Sequence, residues 1–540
     1  MKQDIGLDAI LAELGPFGRY NIVNYAFLLF PIYLAGMYGS VYVFEAPDIK
    51  YRCNVSQCED LNHTSWLEYA IPNEKNSLSR CEMFGTKANT SETCSVDDFD
   101  TNVVKKCMEY VYSDEDSAVK DFDLGCQNWK RTLIGSIHNA GLFVSLPLTG
   151  FISDKYGRKI ALSVASLMNG IFGLIRSFSI NYPMMLVFEF LEAGLGAGAY
   201  STAFVIAMEL VGPKGRVFGN TLINILYVMG LISLSGFSWW LQSWRHVLRL
   251  IYTPALLVVS YYWILNESVR WLISKGRHQE AANILKKAAK MNKVNLSNEV
   301  LSPLYELEKT VPDNEKHKED ADNEQRQDKQ ESNFKKVIKS SIIRKRLAIC
   351  SFLWITCTFV YYGLSINSVS LAGNKYVNFM LVAFVEIPAN IACLLVLDRF
   401  GRKRVLITTY VLSACLCISL SFLAKEQKWL SLVIYLSGKF SITVAYSSVY
   451  IYVSEVFPTN VRQSLLAVCS SLGRVGSTLA PLTPLLALYY DNLPAIFFGS
   501  LALIASILVF SLPETINVAL PDTIEEAEQI AQRAKKKDVA

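Results

Sequence analysis

Gly150-Phe151-Ile152-Ser153-Asp154-Lys155-Tyr156-Gly157-Arg158-Lys159 returns later in the chain as Asp398-Arg399-Phe400-Gly401-Arg402-Lys403. Two more pairs follow the same rhythm. Glu209 with Pro213 and Arg216 returns as Glu455, Pro458 and Arg462, and Asn266-Glu267-Ser268 returns as Pro513-Glu514-Thr515. The leading acids Asp154 and Asp398, Glu209 and Glu455, and Glu267 and Glu514 stand 244, 246 and 247 positions apart. A near-constant offset of half the chain is the mark of duplicated halves.

Between these motifs the chain is apolar. It has 540 residues, 51% hydrophobic and only 19% charged, with mean hydropathy +0.26. A soluble chain carries roughly 25% charge. The charges are also segregated. From Leu347 to Leu397 only Lys375 and Glu386 are ionised, while Asp313 to Glu331 holds eight acids and four bases. Apolar runs of about 20 residues separated by polar turns predict membrane-spanning helices. Twelve are expected, near 22–44, 131–152, 160–178, 183–207, 217–238, 245–265, 346–369, 375–397, 404–424, 428–453, 463–488 and 494–512. The fold class is therefore an all-α polytopic membrane protein with two pseudo-symmetric six-helix bundles, over 22–265 and 346–512. A net charge of +4 without a basic aromatic patch excludes nucleic acid as a partner. The lipid bilayer is the expected partner.

Met1 to Gly18 carries Asp4, Asp8 and Glu13 where a secretory signal would carry bases, so the first span is expected to be an uncleaved anchor. Leu7, Ile10, Leu11 and Leu14 fall at helical spacing, and a short amphipathic helix on the membrane surface is expected within 1–21. Lys155, Arg158, Lys159, Lys214, Arg216, Arg399, Arg402, Lys403, Arg404 and the tail Lys535-Lys536-Lys537 all fall on one side. The positive-inside rule makes that side cytoplasmic, with both termini and the tail 513–540 inside; Lys375, Lys425 and Lys428 dissent but are outnumbered.

The loop 45–130 tests this independently. It holds Cys53, Cys58, Cys81, Cys94, Cys107 and Cys126, with glycosylation sequons at Asn54, Asn62 and Asn89. An even cysteine count with sequons predicts a disulfide-bonded extracellular segment, although six cysteines permit fifteen pairings. A zinc site would need histidines at ligand spacing, and none stands there. The second long loop, 266–345, starts with a helical pattern at His278 to Met291. Its run from Asp313 to Ser332 has the composition of a disordered segment.

The repeated motifs predict mechanics. A glycine turn lets two helices approach closely, and Asp154, Arg158, Glu209 and Arg216, like Asp398, Arg402, Glu455 and Arg462, can bridge helices as a cytoplasmic gate latching the halves. Simple anchoring of the loops by their bases would explain Arg158 and Lys159, but not the return of Asp154 and Gly157 as Asp398 and Gly401.

These loop motifs resemble those of the major facilitator superfamily. Within it, the chain is similar to the organic cation/anion/carnitine (organic ion) transporter family. The Cys-rich first loop carries that likeness, with Trp354, Tyr361-Tyr362-Gly363-Leu364, Val385-Glu386-Ile387-Pro388 and Cys469-Ser470-Ser471-Leu472-Gly473-Arg474. The resemblance spans essentially the whole chain. It implies alternating-access transport of small organic ions across the plasma membrane through a cavity between the halves. The chain departs from the family in the fourth span, where Glu189 stands at a position that often carries Arg.

Charges inside a membrane cost roughly 2.5–3.5 kcal/mol each on insertion scales, and so mark function. Glu386, Lys439 and Arg474 lie near the midplane, and Glu189 and Glu192 nearer the outside. The resemblance implies that Arg at position 474 accompanies anion- and carnitine-type substrates and Asp cations. A guanidinium can take a carboxylate bidentately; pairing with Glu386 is the structural alternative. Glu386 and Lys439 read as substrate contacts or as a gating ion pair. Trp354, Tyr361, Tyr362, Tyr446, Tyr450, Tyr200 and Tyr227 are candidate rings for an ammonium or a flat ligand, and Asn139 and Asn224 candidate polar contacts. His138 reads as a structural hydrogen-bonder. Glu189 or Glu192 is expected to face a positive group of the substrate. The expected function is transport of small organic ions, zwitterions or organic anions of a carnitine-like or amino-acid-derived kind. An organic cation carrier is the alternative, and a non-transporting ligand sensor the alternative of another class. No phosphate loop, metalloprotease motif or nucleophile elbow suggests an enzyme or a cofactor.

Overall fold

The computed structural model describes residues 7–15, 17–59, 65–74, 77–87, 94–211, 213–294, 336–423, 427–459, 461–516, 521 and 523–530. Ten of its helical segments are long and apolar enough to cross a bilayer. Asn128–Tyr156 and Leu493–Val509 complete the twelve. Asn128–Tyr156 is the polar exception because its buried face carries Thr132, Ser136, His138, Asn139 and Ser145 in place of aliphatic side chains. Leu493–Val509 is apolar throughout but has only 17 residues.

In chain order the first six spans are Arg19–Glu45, Asn128–Tyr156, Arg158–Arg176, Tyr182–Leu210, Pro213–Leu241 and Trp244–Ile264. The second six are Ser341–Ser370, Lys375–Phe400, Arg402–Phe422, Lys428–Val456, Arg462–Leu488 and Leu493–Val509. Each half has its own large apolar core. Span 4 is not regular. Between Glu192 and Gly196 it widens into a π-turn, and an added Cβ on Gly198 would stand 1.8 Å from Thr149 Oγ1 of span 2. Bare backbone there is what lets spans 2 and 4 touch, and π-turns inside α-helices frequently mark functional sites.

The halves meet at the ends of the spans that face the long first loop. There Ser235 Oγ donates to the Tyr376 carbonyl at 2.9 Å, Lys375 pairs with Glu115, and Phe44 packs edge-on to Phe379. The described residues of the first loop form three two-stranded ladders around a core of Trp66, Ile71 and Phe99. Its cysteines pair as Cys53–Cys107, Cys58–Cys94 and Cys81–Cys126, which chooses one of the fifteen pairings left open by the sequence. Asn54 Nδ2 donates to Glu109 at 2.9 Å; Asn62 and Asn89 lie outside the described residues, as do the charged run from Asp313 to Ser332, Lys425 and the tail lysines.

One expectation needs correcting. The helix Leu7–Glu13 does not offer its apolar stripe to a membrane surface. Leu7, Ile10, Leu11 and Leu14 are buried against Ala282, Leu285, Ala288 and Ala289 of the helix His278–Asn292. Asn292 pins the junction by accepting from the Tyr20 backbone at 2.8 Å and donating to the Leu14 carbonyl at 3.0 Å. Amphipathic helices need an apolar partner, and here protein supplies it.

Candidate substrate-binding cleft and gating motifs

The two glycine turns are built alike. Gly157 has φ +110° and Gly401 φ +91°, a backbone region that strains any residue with a Cβ. Each turn starts a helix whose first amides are free, and in each half an acid returns from the end of the bundle to accept from them. The Arg158 and Lys159 amides donate to Glu267 at 3.0 and 3.3 Å; those of Arg402 and Lys403 donate to Glu514 at 3.0 and 3.1 Å. A carboxylate at a helix N-terminus satisfies orphan donors and opposes the macrodipole. The repeat had flagged Glu267 and Glu514 without a role, and this is the role the fold gives them.

The arginines complete each motif inside its own half. Arg158 lies 2.9 Å from Asp154 and 3.6 Å from Glu209. Arg402 lies 3.2 Å from Asp398 and 3.1 Å from Glu455, which also accepts from Thr515 at 2.6 Å. Arg462 donates to the Phe457 carbonyl at 3.2 Å, tying the turn after span 10, and Arg216 is half-buried. A latch between the halves is expected in only one state of the cycle; the Arg158 and Arg402 bridges seen here lie within each half. In this structure the bridges brace neighbouring helices of one bundle, because the turn, its acids and its capping glutamate all belong to the same six-helix unit.

Of the alternatives open at the sequence, Glu386 is paired with Lys439 and not with Arg474. Lys439 Nζ, fully buried, lies 3.0 Å from Glu386 and 2.7 Å from Ser365 Oγ, and sits over the Tyr361 ring. This pair joins spans 8 and 10 of one half. Arg474 is therefore not the partner of Glu386. It makes no ion pair among the described residues; its surroundings are the tyrosines Tyr362, Tyr446 and Tyr227. A guanidinium left among phenols inside a bilayer is costly unless something anionic reaches it.

The aromatic candidates form one cluster around it. Trp354 meets Tyr446 and Tyr450 edge-on at 5.8 and 5.6 Å, Tyr361 meets Tyr362 at 5.2 Å and Tyr446 at 5.4 Å, and Tyr200 meets Tyr227 at 5.5 Å. The buried Trp354 Nε1 has no hydrogen-bond partner. A narrow cleft between the halves is lined by Ser40 and Tyr227 on one side and Tyr361, Tyr362 and Glu386 on the other, with room for about one water molecule. Asn224 lies one turn before Tyr227 and is half-buried. Asn139 is buried and donates to the Gly135 carbonyl at 2.8 Å, which spends half of its amide inside its own helix.

Sequence reasoning missed one group. Arg176, at the end of span 3, is fully buried and donates to Glu189, to Glu45 at 2.8 Å and to the Tyr252 hydroxyl at 3.0 Å. His138 Nδ1 lies 2.8 Å from Glu189. Glu189 and Glu192 therefore do not face the cleft as expected; Arg176 and His138 hold them within the first half. The signal was present in the sequence as a base at the end of an apolar span opposite the basic loops.

Comparison with known proteins carries the assignment further. The family model described as "Sugar (and other) transporter" matches residues 81–527. The chain is 31% identical to an organic cation transporter protein of Drosophila melanogaster, across 99% of this chain and 97% of that protein. It is 30% identical to the organic cation/carnitine transporter 2 of Homo sapiens, across 96% and 92%. Among solved structures, the inward-open xylose transporter XylE of E. coli shares the fold with TM-score 0.59 at 16% identity, covering 94% of this chain and 98% of that one. This chain belongs to the major facilitator superfamily, in its organic cation/anion/carnitine (organic ion) transporter family.

Proposed function

We infer that the chain carries small organic ions bearing a carboxylate, zwitterions or anions of a carnitine-like or amino-acid-derived kind, by alternating access across the plasma membrane. One observation carries the reading. Of the two midplane cations, the buried Lys439 is neutralised by Glu386, while the half-buried Arg474 makes no ion pair among the described residues and faces a ring of tyrosines. Arg474 takes the carboxylate bidentately, the Tyr362 and Tyr446 hydroxyls hold the oxygens in place, and Trp354, Tyr361 and Tyr446 accept a trimethylammonium or a flat apolar body. The face with the disulfide-bonded loop is extracellular, and the basic motif turns and both termini are cytoplasmic; oxidised cysteines on one face and clustered bases on the other support this.

Transport of a plain organic cation is the second reading, and Glu386 at the cleft between the halves favours it. Uptake of a radiolabelled quaternary ammonium, a dicarboxylate and a carnitine-like zwitterion, by wild type and Arg474→Asp, separates the two. The carboxylate reading expects carboxylate-bearing probes to be preferred by wild type and to lose on the order of 100-fold in uptake in the variant, the size expected for breaking a buried charge pair. Cation uptake indifferent to the substitution, with no carboxylate uptake by wild type, transfers the function to the second reading. Binding of a probe without flux makes the chain a sensor.

A further inference from the structure

The buried network at the outer end of the first half has more acids than the transport reading needs. Its members come from five spans: Tyr38, Tyr42 and Glu45 from span 1, His138 from span 2, Arg176 from span 3, Glu189 and Glu192 from span 4, and Tyr252 from span 6. Glu45, Arg176, Glu189 and Glu192 each have side chains no more than 1% exposed. Three carboxylates face one guanidinium, which leaves two negative charges if every acid is ionised and His138 is neutral. Uncompensated charge at that depth is expensive. Two protons shared among His138 and the glutamates make the cluster neutral.

The geometry shows where a proton has room. Arg176 donates to Glu189, Glu45 and the Tyr252 hydroxyl, and His138 Nδ1 is hydrogen-bonded to Glu189. Glu192 Oε2 stands 3.6 Å from both Arg176 Nη1 and His138 Nδ1 and has no hydrogen-bond partner, and Glu45 Oε2 and His138 Nε2 are likewise unpartnered. Glu192 is also the first residue of the π-turn in span 4, where helical hydrogen bonding changes register.

The network has an end toward solvent and an end toward the substrate cleft. Glu45 lines an outer pocket of about 260 Å³ shared with Asp114, Glu115, Asp116, Lys375 and Tyr376. Since Lys375 is already paired with Glu115, the vestibule is acidic and concentrates cations above Glu45. At the other end, Tyr42 packs on His138 with ring centres 5.5 Å apart and is close enough to Tyr362 for their hydroxyls to interact electrostatically. Tyr362 in turn contacts Arg474.

We propose that Glu192, within the His138–Glu189–Arg176–Glu45 network, binds and releases one proton per transport cycle, so that substrate entry is coupled to proton entry from the acidic vestibule. The step is proton binding alone: carboxylate plus proton gives the acid, and the acid returns the proton to the cytoplasmic side after the halves rock. A metal ion is a poorer occupant, because an ion held by His138, Glu189 and Glu192 would lie against the Arg176 guanidinium. The proposal rests on the chain being a carrier.

The full-length chain in proteoliposomes containing a pH-sensitive dye tests both layers, using the three probes named above. The proposal expects the lumen to acidify on addition of a transported probe, and uptake to rise on the order of threefold as outer pH falls from about 8 to about 6. Glu192→Gln should retain probe exchange with preloaded vesicles and lose both the acidification and the pH dependence. The wild-type dye signal is decisive even if that variant folds poorly. Probe uptake without acidification, uptake that needs sodium, or acidification abolished by a metal chelator overturns the proton assignment while the carrier reading stands. No flux of any probe overturns the carrier reading, and this proposal with it.

Discussion

Gly157 shows how much one missing side chain decides. With φ +110° and Glu267 Oε2 only 2.3 Å from where a Cβ would sit, an alanine there is opposed by both backbone strain and the capping carboxylate. Gly157→Ala is expected to cost about 1–3 kcal/mol and to slow the transport cycle more than it weakens substrate binding. Comparing maximal uptake rate with half-saturating concentration checks this, and an unchanged rate would contradict it. Gly401→Ala, opposite Glu514 in the second half, is expected to behave alike. Arg474 is the other residue-scale determinant. Its charge was visible in the eleventh span, but whether Glu386 neutralised it depended on Lys439, which lies elsewhere in the chain and sits 3.0 Å from that acid.

At the scale of elements, the recurring unit is a helix start closed by an acid from the far end of its own bundle. Glu267 caps the third span and Glu514 the ninth, each accepting from two successive amides. Replacing either by Gln keeps an acceptor and removes the charge. Glu267→Gln and Glu514→Gln should each lower stability by about 0.5–2 kcal/mol, read as a fall in Tm of the detergent-purified protein. The double variant should lose roughly the sum, because the two caps share no partner. The repeated sequence placed these acids at matching positions; that they reach back to the helix starts was not legible, since the contact spans 109 residues in one half and 112 in the other.

For the whole molecule, alternating access requires the contacts at the loop face to part. Ser235 and Tyr376 meet there across the halves. A Ser235→Cys/Tyr376→Cys pair joined by a short thiol cross-linker is expected to stop uptake, and cleavage of the linker to restore it. Single-cysteine variants carrying the same reagent serve as the comparison, since Cys415 is already exposed. Continued uptake with the cross-link in place would mean that this seam does not open during transport.

Twelve spans, duplicated halves and paired loop cysteines were legible in the chain itself, because hydrophobic length, a fixed offset and cysteine count are local or periodic properties. Membrane insertion reads such properties one segment at a time. Tertiary structure alone decided that Arg158 and Arg402 in this state each bridge acids of their own bundle, that Lys439 and not Arg474 answers Glu386, and that Arg176 turns inward to gather Glu45 and Glu189. Those choices depend on which helices become neighbours. A buried charge is settled by the nearest opposite charge in space, and residues 131 positions apart, such as Arg176 and Glu45, carry no sequence signal of their meeting.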